Sequence, residues 1–439
     1  MTSQHATSQT VPTAVVISIG EELLEGRVAD TNSGTFAREL LLQGFHVTAM
    51  HTIGDSLGDL HALLASLTAG PACPDVILTT GGLGPTEDDR TRDDVASLLQ
   101  VEIVPIPVAG AMEHLAEVYT RYHANAATEA FLAQATMPDG AAPLLNPVGS
   151  AWGFMVTLAA GAQLYCLPGP PVECLGTFRD GGVLADLQSR FGAGASLAHG
   201  VLHTAGAPES VVEEHLGELF VEGGNPRLGI TANADKVSIS VLARSEQANE
   251  PASALLESTL SELQQRLGHL WWGRDAQTMA GVAVEALQAA GQSVTVVESC
   301  TGGRLAAALT GVPGASSVFT HGWVTYSDAA KQQQLGVPQE LFEKHGAVSV
   351  EVAAAMASGA RQVSGSDWSL AITGVAGPDG GTEEKPVGTV CLAICGPGTE
   401  YAICRHQFAR AGRDAIQRQS VRDALDMLRR AMSGLAPIS

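Results

Sequence analysis

Basic residues are scarce in this 439-residue chain: 24 lysines and arginines stand against 46 aspartates and glutamates, a formal charge of −22. Surfaces that track an extended phosphate backbone concentrate basic side chains, so direct nucleic-acid binding is excluded, while a local basic pocket for one small phosphate is not. The cysteines (Cys73, Cys166, Cys174, Cys300, Cys391, Cys395 and Cys404) show none of the paired short spacings of zinc sites. They read as reduced, mostly buried thiols, with Cys391 and Cys395 on one side of an apparent strand. No run of about 18 apolar residues is present, and the polar stretch 1–12 lacks the apolar segment of a secretory signal. The expectation is a cytoplasmic protein with no membrane partner. The spacings of the dinucleotide fingerprint and of the Walker A loop are also absent.

The length gives a prior of about three domains at ~150 residues each, and a hydrophobic fraction of 45% supplies ample core. Residues 1–12 read as a disordered leader. Residues 13–172 alternate apolar strands (Ala14–Ile19, Phe45–Ile53, Asp75–Thr80) with amphipathic helices, which implies right-handed crossovers and a parallel sheet covered on both faces. Ligands of such sheets lie at the carboxyl ends of the strands, where the third strand runs into Gly81-Gly-Leu-Gly-Pro-Thr-Glu-Asp-Asp89. Gly81, Gly82 and Gly84 let backbone amides approach an anion, and Asp88 and Asp89 are hard ligands for a divalent cation bridging phosphates. A tight turn with a capping aspartate is the other reading. Residues 173–270 form a small α+β module with a helix over Glu209–Phe220, an alternating strand over Lys236–Ala243 and a leucine-faced helix over Pro251–Leu267. No Gly-x-x-Gly loop joins these helices, so the module reads as a spacer or dimerising piece. Trp271–Asp275 marks a boundary, and 276–436 is a third, α/β domain opening with a helix over Ala276–Ala290.

Within the third domain, Gly314–Lys331 brings hydroxyls, a tyrosine and a lysine around one strand-to-helix unit. Phe319–Thr325 has strand composition, Ser327 or Asp328 can cap the next helix, and Lys331 falls in its first turn. The helix dipole disfavours a cation there by ~0.3–1 kcal/mol, less than about one pKa unit. A general base near ~7–8 also needs desolvation or a second cation. A buried strand, a capped helix and a solvated lysine fit the same residues. Were Ser316 to Tyr326 one straight strand, ten steps of ~3.3 Å would part its ends by roughly 33 Å. A serine–lysine pair across this stretch then requires either a fold-back at His321-Gly322 or the serine of a neighbouring subunit; the fold-back is the expectation, within a homodimer. Thr301-Gly302-Gly303 opens the helix Arg304–Thr310 and can supply oxyanion and phosphate donors. The turn Gly374–Gly381 follows another apolar strand. His321 and His345 are isolated alternatives for a base, and Glu298 is either a hydrogen-bonding partner of the site or a helix-proximal acid.

The motifs Val297-Glu-Ser-Cys-Thr-Gly-Gly303, Gly314-Ala-Ser-Ser-Val-Phe319, Val324-Thr-Tyr-Ser-Asp-Ala-Ala-Lys331, Gly346-Ala-Val-Ser349, Thr373–Gly381 and Lys385-Pro-Val-Gly-Thr389 occur in that order. Together they resemble the C-terminal domain of the CinA (competence/damage-inducible) family. The resemblance implies a nicotinamide mononucleotide amidohydrolase that needs no cofactor, with Ser316 as nucleophile, Lys331 as base and Tyr326 orienting or shuttling the proton. It implies substrate contacts from Thr301, Gly302, Gly303, Gly374 and Gly377, and from either Arg413 or Arg418; Ser317 stands where the family often has another residue. Val11–Val172, with Asn146, Gly149–Phe154 and Leu167–Glu173, resembles the MoaB/MogA-like domain of the same family. That likeness implies a nucleotide site of Gly81, Gly82, Gly84, Thr86, Asn32 and Asn146, a divalent cation on Asp88 and Asp89, and hydrolysis of ADP-ribose. Glu21 and Trp152 depart from the usual aspartate and proline. The middle module resembles the family's linking domain, with a KH-like outline. The competing class is a non-catalytic scaffold in competence or DNA-damage response.

Overall fold

The computed structural model describes residues 11–122, 128–192, 197–233, 236–245, 251–405 and 412–437, so nearly all of the expected leader lies outside the described residues. The chain divides into two compact units, Met1–Ala198 with Arg244–Ala252, and His199–Ala243 with Ser253–Ser439.

The first unit is built on strands β1 (Thr13–Ile19), β2 (His46–Ile53), β3 (Val76–Thr80), β4 (Ile103–Pro105), β5 (Thr136–Pro138), β6 (Ala142–Leu144), β7 (Gly153–Thr157) and β8 (Gln163–Leu167). A six-stranded sheet runs β2-β1-β3-β8-β7-β6, and β4 pairs with β5 apart from it. The β2-β1-β3-β8 half is parallel, as the alternation of strands and helices predicts, while β7 and β6 add antiparallel. Ala14 to Ile19 and Val76 to Thr80 are buried throughout, the near-continuous apolar run of a strand covered on both faces. Each large apolar side chain so buried contributes about 1.5–3 kcal/mol. The helices Pro171–Asp180 and Val183–Phe191 set Cys174, Phe178, Val183 and Leu187 in one cluster with Val16, Phe36 and Leu78. The first domain therefore extends to about residue 191 and not to 172. The Pro-Gly-Pro-Pro run that reads as a boundary starts a helix, with Pro171 at its first turn.

The second unit opens with a four-stranded sheet of order β10-β11-β9-β12, made of β9 (Leu197–Thr204), β10 (Arg227–Ala232), β11 (Val237–Arg244) and β12 (Trp271–Arg274). Trp271–Arg274 is thus a paired strand of the linking module, aligned antiparallel with β9. The helix Ala252–Leu267 buries Leu256, Leu260, Leu263 and Leu267, and Gly200 lets it approach: a Cβ there would meet Leu260 Cδ1 at 3.0 Å.

The rest of this unit is a five-stranded sheet, β14-β13-β15-β16-β17, from β13 (Val294–Glu298), β14 (Phe319–Val324), β15 (Trp368–Gly374), β16 (Val390–Gly396) and β17 (Thr399–Arg405). The first three strands are parallel, and β16 and β17 are antiparallel. The helices Met279–Ala290, Arg304–Thr310 and Arg413–Met432 share one core, containing Ala283, Leu305, Leu370, Ile394 and Leu428. Val350–Ser364 buries Val352, Met356 and Ala360 in a cluster with Val297, Ala371 and Cys391. The expectation of seven reduced thiols is corrected at one pair. Cys391 and Cys404 stand opposite each other across β16 and β17 and form a disulfide, a partnership set by strand register. Among the described residues no helix is long and apolar enough to cross a membrane.

Candidate active sites

In the third domain the carboxyl ends of β13, β14 and β15 are laced together. Thr325 N donates to Glu298 O at 2.9 Å, and Ser299 N donates to Ile372 O at 2.9 Å. Ser327 caps the helix Asp328–Leu335 by accepting from Ala330 N at 3.2 Å, as its position predicts. Lys331, one turn in, is 1% exposed. Its ion pair with Asp328 is long, 3.5 Å, and burial holds its pKa below the ordinary lysine value against the opposing pull of Asp328. The desolvation that a basic lysine requires at this pattern is therefore present.

The surroundings of the Cys300 thiol are dominated by burial, with minor influence from Arg413, Glu298 and Lys331. Arg413 Nη1 donates to Gly377 O at 2.7 Å and its Nη2 to the Tyr326 hydroxyl at 3.4 Å. Gln417 Nε2 donates to Cys300 O at 2.7 Å. Hydrogen bonds thus gather Tyr326, Gly377 and Arg413, and Gln417 of the same helix ties in the loop Ser299–Thr301, while Lys331 sits in the first turn of the helix that leaves the same end of β14. Arg418 is directed elsewhere, pairing with Asp414 and lining a separate cavity, so of the two arginines only Arg413 joins Tyr326.

Ser316 does not join this cluster. Val294 N donates to Val318 O at 2.8 Å, and β14 then runs from Phe319 beside Val294 to Val324 beside Glu298. The strand does not fold back at His321-Gly322, which pair with Thr295 and Val296 inside the ladder. Five steps of extended chain separate its ends by about 16 Å, leaving the exposed Ser316 at the amino edge of the sheet and Lys331 at the carboxyl edge. The intrachain Ser316–Lys331 dyad is corrected accordingly, and of the two arrangements only the pairing with Ser316 of a neighbouring subunit is compatible with this geometry. The neighbouring Ser317 Oγ donates to Gly314 O at 2.9 Å and accepts from Gln288 Nε2 at 3.1 Å, a turn-bracing role.

A hydroxyl- and thiol-bearing loop at the same carboxyl end of the sheet is the one leaving β13. Ser299 is 8% exposed, and among the described residues its hydroxyl has no hydrogen bond. Cys300 is buried, which pushes its thiol up to about 12 and keeps it protonated. Thr301 Oγ1 and Thr325 Oγ1 are buried and unpartnered. Sequence reasoning passed over Ser299, yet its place directly after a fully buried interior strand was the signal, because ligands sit at such carboxyl ends.

The helix terminus expected to bind anions is already filled. The fully buried Glu298 carboxylate accepts from Gly303 N at 3.1 Å, Leu305 N at 3.0 Å and Ala306 N at 2.8 Å. Gly302 and Gly303 shape this turn with φ values of 61° and 98°, and so offer no free cradle. Gly374 ends β15, where a Cβ would meet Thr389 O at 2.8 Å. His345 pairs with Glu351 and His321 stacks on Trp323.

In the first unit, Gly81, Gly82, Gly84 and Thr86 line a cavity of about 350 Å³ together with Asp88 and Asp89. Glu22, Asp55 and Glu173 complete its acidic wall. Asp89 Oδ2 accepts from Thr86 N at 2.9 Å and from Thr86 Oγ1 at 2.5 Å, tying the loop shut on itself. Beneath it the buried Arg92 donates to Leu83 O at 3.0 Å and Gln134 O at 3.2 Å, and burial lowers its pKa to about 10. Two expected ligand contacts are braces. Asn32 Nδ2 donates to Thr80 Oγ1 and Gly169 O, both at 2.8 Å. Asn146 donates to Ala151 O and Glu173 Oε2 while accepting from Val148 N and Gly149 N. Among the described residues no three His, Cys, Asp or Glu side chains converge as a ready metal site.

Family models match most of the chain in three pieces. The model described as "Probable molybdopterin binding domain" covers residues 15–183, "Damage-inducible protein CinA KH domain" covers 199–273, and "CinA C-terminal domain" covers 276–432. A "CinA-like protein" of Desulfovibrio desulfuricans is 39% identical, spanning 96% of this chain and 96% of its own. Another from Parasynechococcus marenigrum is also 39% identical, over 95% and 97%. Among solved structures, the competence/damage inducible protein CihA from Agrobacterium tumefaciens shares 40% identity over 35% of this chain and 93% of its own, with a TM-score of 0.34.

Proposed function

This chain belongs to the CinA family, and from that premise we propose that its C-terminal domain hydrolyses the carboxamide of nicotinamide mononucleotide, giving nicotinate mononucleotide and ammonia. The observation that carries the reading is the buried, pKa-depressed Lys331 at the same carboxyl end of the sheet as the Ser299–Thr301 loop and the Tyr326–Arg413 pair. Ser299 Oγ attacks the carboxamide carbon, and the neutral Lys331 amine takes its proton. The amides of Cys300 and Thr301, which donate to no backbone oxygen among the described residues, receive the oxyanion. Lys331 returns the proton to the departing amine, ammonia leaves, and water cleaves the acyl-enzyme by the same route. Arg413, with Tyr326, meets the 5′-phosphate through charge-assisted bonds.

For the first unit the reading is hydrolysis of the pyrophosphate of ADP-ribose with a divalent cation. Its cavity is lined by Glu22, Asp55, Asp88, Asp89 and Glu173 and by no lysine or arginine, so a pyrophosphate needs a cation between itself and that wall. Asp88 and the free oxygen of Asp89 would hold the ion, with phosphate oxygens and water completing its shell, and the ion would supply charge neutralisation and water activation. Ammonia released from nicotinamide mononucleotide, with the acid product identified by mass, tests the amidohydrolase. Release at the uncatalysed rate would favour the scaffold class instead.

A further inference from the structure

The second unit contains a cavity of about 520 Å³ away from Lys331, where the linking module meets the helices Met279–Ala290, Arg304–Thr310 and Arg413–Met432. In a chain of net charge −22 its charged lining is wholly basic: Lys236, Arg304, Arg418 and Arg422. The nearby carboxylates only partly offset these. Asp414, half exposed, is shared between Arg304 at 2.8 Å and Arg418, and Asp423 pairs with Arg422. Apart from Gln277 and Thr278 the remaining wall is apolar, with Met279, Ala280, Ala308, Val421 and Leu425. Trp272, 6% exposed, closes one side with its indole Nε1 buried and without a hydrogen-bond partner, and Lys236 Nζ lies 5.9 Å from its ring centroid.

A volume in the ~300–1,000 Å³ range of small-molecule sites, an apolar wall and one cationic side select a compact ligand with a planar apolar ring and a phosphate. A guanidinium pair held by a single exposed carboxylate is poised to exchange it for a dianion, which binds both arginines. We propose that this cavity is a binding site for a nucleoside monophosphate, the phosphate on Arg304 and Arg418 and the base against the apolar wall and Trp272. The site shares its helices with the amidohydrolase cluster: Gln417 reaches Cys300 O while its neighbour Arg418 faces the cavity. Occupancy therefore bears on the Ser299–Thr301 loop, although binding itself rests on no assumption about that activity.

The test is titration calorimetry of AMP into the full chain with EDTA present, alongside adenosine, inorganic phosphate and an oligoadenylate. The expected result is saturable AMP binding that weakens at least about tenfold, or ~1.4 kcal/mol, in Arg304→Ser/Arg418→Ser. Both side chains are largely exposed, so the variant should fold, with an unchanged melting midpoint as control. Asp414→Asn, which frees both guanidiniums, is expected to tighten binding several-fold. AMP affinity unchanged in the double arginine variant, or no AMP binding to the wild type, overturns the assignment. Phosphate alone binding as tightly as AMP overturns the base half of it, and oligoadenylate binding far more tightly than AMP would replace it with an RNA surface.

Discussion

Replacing Glu298 by Gln removes a charge while keeping nearly the same shape, and the structure sets the size of the effect. The carboxylate is fully buried and accepts from the amides of Gly303, Leu305 and Ala306. Hydrogen bonds to a charged acceptor contribute about 1.5–3 kcal/mol each. Glutamine retains one acceptor oxygen and turns an NH₂ toward amides that can only donate. The expected loss is about 3–5 kcal/mol, the scale on which removing one partner destabilises a buried charged contact. At ~2–4 °C per kcal/mol for a domain of this size, the transition of the second unit should fall by roughly 6–20 °C. Scanning calorimetry of the full chain reads this directly, with the first unit's transition as an internal control. A midpoint within about 1 °C of wild type would refute the claim that Glu298, and not a bound phosphate, neutralises this helix terminus.

Further outcomes follow from the same geometry. Lys331 acts as a base only when neutral, and burial lowers its pKa from the ordinary value while Asp328 raises it; kcat/KM should therefore rise with pH through a limb below 10.5, and Asp328→Asn should move that limb to lower pH. A limb that stays put or moves upward in Asp328→Asn contradicts the assignment. Arg413→Ala should raise KM for nicotinamide mononucleotide about tenfold or more, the ~1.5–3 kcal/mol of a charge-assisted contact, whereas Arg418→Ala should leave KM unchanged; the reverse pattern would exchange their roles. ADP-ribose hydrolysis should vanish with chelator and in Asp88→Asn/Asp89→Asn while ammonia release persists, and full ADP-ribose turnover under either condition would remove the cation from the account.

Much of the fold was legible because its signals are local. The apolar runs Ala14–Ile19 and Asp75–Thr80 could only be buried strands, and Ser327 had the position and side chain of an N-cap, which it is. What escaped depends on contacts distant in sequence. The helices after Pro170 belong to the first domain only because Phe178 and Leu187 fit beneath the same sheet as Phe36. Cys391 meets Cys404 through a hairpin register that composition does not encode. At the site, Tyr326 and Arg413 meet, but candidate serines occur at both ends of the sheet. Choosing between Ser299 and Ser316 requires knowing that β14 crosses from one edge of the sheet to the other with a register shift at Thr320 but no fold-back. Glu298 shows the same limit. It was visible beside a strand end, whereas its occupation of the Arg304 helix terminus is a tertiary fact.

The central claim is that amide hydrolysis takes place at the carboxyl edge of the sheet, with Ser299 as nucleophile and Lys331 as its base. It is tested most directly by the rate of ammonia release from nicotinamide mononucleotide by Ser299→Ala and Ser316→Ala, each with an unchanged melting midpoint. Ser299→Ala should lose about 10³-fold or more in kcat, as removal of an activated nucleophile does, and Ser316→Ala should stay within about twofold of wild type, the scale of an exposed residue off the site. An inactive Ser316→Ala beside a fully active Ser299→Ala would contradict the account and assign the nucleophile to Ser316 of a neighbouring subunit.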